Sequence, residues 1–160
     1  MTEPSPSDHP ARAARPDRPA RHPLIDRLLA VTGGREVRAD DVDAFEQEEG
    51  GDAVLFFGGD PVRFPEALDV AVVLPELLAA LGARARVGVV PRDAEDAVAR
   101  RYAVQRWPSI VFLRDSGYLG SVSGMQDWDV YLREAADVLA RAPGRRPAPA
   151  IAIQAAPACH

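Results

Sequence analysis

Three short apolar runs limit what this chain can fold into: Ala53–Phe57 (AVLFF), Arg86–Val90 (RVGVV) and Ser109–Leu113 (SIVFL). The first is continuous and bounded by polar turns, as expected of a strand buried on both faces. The second and third read as further buried strands. Asp115-Ser116-Gly117 then turns the chain into Tyr118–Val122, a hairpin partner. Between them lie helical patterns. Pro23–Val31 stops at Gly33-Gly34, and Ala39–Gln47 is short, with Asp40 or Asp41 near its start. Asp69–Leu81 has Asp69 as a candidate cap and Pro75 as the place for a kink or restart. Arg92–Arg101 is amphipathic. In Asp127–Arg141 one stripe holds Trp128, Tyr131, Leu132, Ala135 and Leu139. Trp128, Tyr131 and Tyr118 are expected in the core.

A chain of 160 residues suits one domain with a real core. Residues 1–22 and 142–160 are rich in Pro, Ala and Arg and bury too little to offset their ordering entropy, so both read as disordered tails around a domain over 23–141. All 19 basic residues are arginine. The tails are net basic, whereas residues 23–140 hold twelve arginines against twenty-one acids. Glu36 to Asp52 is the densest acidic stretch, either a solvated helical face or a docking surface for a basic peptide. A formal net charge of −5 does not favour nucleic acid or membrane surfaces. No apolar run would span a bilayer, no secretory signal opens the chain, and a cytoplasmic location is expected. Cys159 is the single cysteine, and neither a CxxC motif nor metal-ligand spacing is present, so no cofactor is expected.

The element order, two parallel strands through a crossover helix and then a closing hairpin and helix, resembles the thioredoxin arrangement, a three-layer α/β/α sandwich around a mixed sheet of about four strands. Arg101-Tyr102-Ala103-Val104-Gln105-Arg106-Trp107-Pro108-Ser109 resembles the segment that enters the third core strand of thioredoxins. Gly117 and Gly124 fall at matching places. The resemblance implies a cis bond before Pro108, and it places the redox motif just after Phe57, with the cysteines near Pro61 and Phe64. Neither is cysteine. A thiol–disulfide enzyme needs an activated thiolate there, and nothing stands in for it.

The same departures resemble a narrower family, the HyaE/HupG (HoxO) accessory proteins of nickel–iron hydrogenase maturation. The residues that carry this are Gly59-Asp60-Pro61, Arg63-Phe64-Pro65-Glu66, Asp69-Val70-Ala71-Val72-Val73-Leu74-Pro75-Glu76-Leu77 and the Arg106–Ser109 corner. That resemblance implies binding rather than turnover: a chaperone for the hydrogenase small subunit that recognises its twin-arginine signal peptide before export, alongside other accessory proteins. Carboxylates accept bidentate hydrogen bonds from guanidinium groups, and Asp60, Glu66 and Asp69 are the candidates. Phe64, Trp107 and Pro108 are candidates for an apolar groove beside them, with Arg63 on the loop.

Each candidate also has a plain structural role. Asp60 before Pro61 initiates turns, Asp69 can cap its helix, Arg63 can pair with Glu66, and Trp107 can be packing. Phe64 can plug the space left by the missing cysteines. Two other functions compete: a redox-inactive scaffold within a larger assembly, and an enzyme using Cys159 from the tail.

Overall fold

The computed structural model describes residues 20–148. Strand β2 (Asp52–Phe57) lies in the middle of a five-stranded sheet ordered β1-β3-β2-β4-β5. The others are β1 (Arg35–Glu36), β3 (Ala85–Val90), β4 (Ser109–Arg114) and β5 (Gly117–Ser123). β1, β3 and β2 run parallel, and β4 and β5 run antiparallel to their neighbours. The mixed sheet and its thioredoxin-like order are as expected; its strand number is not. β1 adds a fifth strand, pairing Arg35 with Gly88 and Glu36 with Val89. Two charged residues at an edge have no apolar pattern from which to read a strand.

Side chains alternate across β2. Val54 and Phe56 enter one core with Leu28, Leu74, Leu77 and Tyr131; Ala53, Leu55 and Phe57 enter the other with Phe45, Val98 and Tyr102. The first core is covered by α1 (Pro23–Thr32), α3 (Glu66–Ala80) and α5 (Trp128–Leu139), the second by α2 (Val42–Gln47) and α4 (Arg92–Arg101).

Several boundaries differ from the expectation. α2 starts after Asp41, which accepts the Arg38 backbone N–H at 3.1 Å. α3 begins at Glu66 and runs unbroken through Pro75, so no restart occurs. Ala71, Leu74, Leu77 and Leu78 are buried on either side of Pro75, and that packing holds the helix across the missing donor. Trp128 is 43% exposed instead of buried, because it stands at the first turn of α5; Tyr131 and Ala135 are fully buried behind it. Tyr118 is half-buried and stacks on Tyr102.

The two expected tails fall mostly outside the described residues, but their inner ends make contacts. Gly144 exchanges two 2.9 Å backbone hydrogen bonds with Tyr118, and Arg146 reaches the buried Glu46 at 3.2 Å. A buried carboxylate needs such partners. At the other end, the His22 side chain accepts the Leu24 N–H, ahead of a proline in the first turn of α1.

Close packing leaves no room at Gly88 in the middle of β3, where an added Cβ would lie 2.7 Å from Val37, 2.8 Å from Leu55 and 3.0 Å from Phe45. Gly88→Ala should therefore lower stability by about 1–3 kcal/mol through overpacking, measured by urea denaturation.

Candidate functional site

The loop joining β2 to α3 sits at the carboxyl end of the parallel strands, where open α/β sheets place their sites. Asp60 builds it. Its carbonyl accepts the N–H groups of Arg63 and Phe64 at 3.0 and 2.8 Å, and its carboxylate accepts the Val62 N–H at 2.9 Å. This is the aspartate turn that an Asp-Pro sequence favours. The other carboxylate oxygen lies 3.0 Å from the Arg92 guanidinium.

Gly59 is pinned between two rings. Its φ of 70° lies in the left-handed region, and a Cβ would stand 2.8 Å from Phe64 and 2.9 Å from Trp107. Phe64 and Trp107 stack with centroids 6.3 Å apart at 27°. Phe64 packs against the core of α1, α3 and α5, and Trp107 against the opposite one. Aromatic packing thus fills the corner where a thioredoxin motif would put cysteines. Arg63 lies over the Phe64 ring at 5.6 Å, and among the described residues no ion pair joins it to Glu66.

The bond before Pro108 is cis, and Pro108 itself is buried. Its carbonyl accepts the Gly124 N–H at 2.7 Å, which draws the β5–α5 loop to this corner. Apolar surface is left open on either side: Val62 is 86% exposed on one loop and Met125 46% on the other. The sequence candidates therefore gather only in part. Asp60, Arg63, Phe64, Trp107 and Pro108 share the corner. Glu66 and Asp69 lie in the first turn of α3, where negative charge suits the helix dipole. Pro65, not Asp69, is the N-cap, so the expected capping role is corrected.

The acids of 36–52 do not form an unbroken anionic face. Glu36 pairs with Arg21, Glu48 with Arg35, Asp43 with Arg101 and Asp52 with Arg114. Glu46 is buried against Tyr102 and Arg146.

Sequence reasoning missed Glu95, which ties the corner together. It is only 5% exposed, accepting the Gly59 N–H at 2.8 Å on one carboxylate oxygen and the Trp107 indole N–H at 3.1 Å on the other. Burial pushes its carboxyl above the ordinary value, with these two donors, the Gly58 backbone N–H and Arg92 opposing the rise. A signal was present: Glu95 falls on the helix stripe of Ala94, Val98 and Ala99, a glutamate on an apolar face.

The family profile described as "Hydrogenase-1 expression protein HyaE" matches residues 24–131. A hydrogenase expression/formation protein HoxO of Cupriavidus necator is 46% identical over 143 residues, covering 86% of this chain and 88% of that one. HupG of Bradyrhizobium diazoefficiens, also a hydrogenase expression/formation protein, is 44% identical over 128 residues, covering 78% and 86% respectively. Among solved structures, a single-substitution mutant of a thioredoxin from Halobacterium salinarum superposes with a TM-score of 0.53 at 20% identity, over 69% of this chain and 93% of its own. That likeness gives the thioredoxin fold.

Removing Glu95 strands two donors. Glu95→Ala should cost about 1–3 kcal/mol in urea denaturation and alter Trp107 emission. The folded protein also holds the Glu95 proton more tightly than the unfolded chain does. Its contribution to stability is therefore present below the ordinary value of 4.5 and is lost as pH rises through the raised folded value. The stability difference between Glu95→Gln and the native protein should accordingly move in favour of the glutamine variant as pH rises over that window.

Proposed function

This chain belongs to the HyaE family of hydrogenase expression proteins, and from that premise we propose that it is a non-catalytic chaperone for the hydrogenase small subunit. It holds the subunit's twin-arginine signal peptide before export. Its part in hydrogenase expression and formation, an accessory one, follows from the family. The finer reading rests chiefly on one observation: the corner that would carry a thioredoxin's cysteines is closed by the Phe64–Gly59–Trp107 sandwich and flanked by open apolar surface at Val62 and Met125. Such a corner can bind but has no nucleophile for turnover.

A twin-arginine signal offers two guanidinium groups followed by an apolar stretch. Val62, Met125 and the Phe64–Trp107 pair supply apolar contact, and Glu66 and Asp69 stand at the start of the adjoining helix. Asp60 contributes only by giving up Arg92. Opposite charge between the acidic domain and a basic peptide would speed encounter at low salt. Among the described residues no helix is long and apolar enough to cross a membrane.

Calorimetric titration of the full chain with a synthetic small-subunit signal peptide tests the reading. Changing the arginine pair to lysine should weaken binding by about tenfold through loss of bidentate geometry. Glu66→Gln with Asp69→Asn should weaken it as well, and added salt should lower the affinity. Absence of binding by either peptide would overturn the chaperone reading in favour of a redox-inactive scaffold.

A further inference from the structure

Beneath the 58–62 loop lies a cavity of about 350 Å³, enclosed by that loop, the ends of β2 and β3, the start of α4 and residues 20–22 ahead of α1. Its walls are apolar: Ile25, Phe56, Leu68, Val89 and Pro91. Its polar lining has one pattern. Glu36, Asp93 and Asp60 each already hold a guanidinium group of this chain, from Arg21 at 2.9 Å, Arg38 at 2.8 Å and Arg92 at 3.0 Å. Glu95 also lines the cavity, and the groups that hydrogen-bond it, the Gly59 and Gly58 backbone and the Trp107 indole, are neutral donors. A carboxylate has roughly four acceptor positions, so it retains capacity for another donor.

Arg21 differs from the other two. It belongs to no helix or strand, lies just before α1, and is 42% exposed. It binds Glu36, whose side chain is only 13% exposed, and also Asp26 at 2.7 Å. An arginine from outside the regular elements, seated on a sheltered carboxylate, is an example within the protein itself of the ligand this mouth accepts. Apolar walls suit the methylene stem of such a side chain while its head meets carboxylates.

We infer that this cavity is a guanidinium pocket that takes an arginine side chain of the partner, with Arg21 resident on Glu36 until that arginine displaces it. The identity of the occupant rests on the signal-peptide reading; the chemistry of the pocket does not. Arginine is favoured over lysine because its planar fork meets a carboxylate through two donors, whereas an ammonium is a point charge. Arg21 therefore competes with the partner, and loss of Arg21 strengthens binding.

Two protons report on occupancy directly: the Gly59 amide and the Trp107 indole N–H, both bonded to Glu95. The full chain, labelled with nitrogen-15, is titrated with N-acetyl-arginine amide and, separately, N-acetyl-lysine amide. The arginine compound should shift both resonances in a saturable way, and the lysine compound should do so far more weakly. Arg21→Ala should tighten arginine binding about two- to fivefold, the strength of one exposed ion pair. Glu36→Gln should weaken it. Resonances unmoved by arginine, or moved equally by lysine, overturn the pocket; an unchanged affinity in Arg21→Ala overturns the competition. A pocket that takes arginine while the signal peptide fails to bind would sink the chaperone reading alone.

Discussion

The fold depends on a strand with no wet side. From Ala53 to Phe57 every side chain of β2 is buried, alternately above and below the sheet. Such a strand is stable only under two separate covers. The chain supplies α1, α3 and α5 to one face and α2 and α4 to the other. Because β2 is central, its carboxyl end opens where both covers part. That is where Gly58, Gly59 and Asp60 leave the sheet, and position on the sheet accounts for the site before any chemistry does.

At that opening, in a fold often associated with thiol chemistry, aromatic packing takes the place of cysteines. Phe64 and Trp107 close over Gly59 from opposite cores, and Glu95 fixes the backbone amide of one side to the indole of the other. A buried carboxylate is costly to ionise. It is accommodated here because two donors meet it within the corner. The arrangement sets the loop relative to the cis-proline bend without a covalent link.

Much of this was legible in the sequence, for identifiable reasons. Continuous apolar runs marked the buried strands, and the amphipathic pattern of Arg92–Arg101 matched α4 at both ends. β1 was hidden because two charged residues carry no periodicity, and its pairing is fixed by β3 rather than by its own composition. The first turn of α3 was hidden behind Pro65, a residue that reads as loop but here is the N-cap of a helix. Asp60 and Phe64 could be found because they sit in the broken motif. Glu95 could not be placed at the site from spacing alone, since it lies 36 residues from Gly59 in sequence. The charge density of 36–52 left a solvated face and a docking surface both open for a related reason: its arginine partners, Arg101 and Arg114 among them, come from distant strands and helices.

The pairing of Gly144 with Tyr118 bears on how the molecule behaves in company. Open sheet edges invite other strands to add to them. One edge here is β1, only two residues long and charged. The other is β5, and the chain itself lies against the start of that strand through Gly144. Any sheet with a long, flat, unpaired edge is exposed to self-association by the same forces. A margin of two charged residues on one side, and a strand met at its start by the chain's own Gly144 on the other, leave a second copy of the chain less edge to pair with.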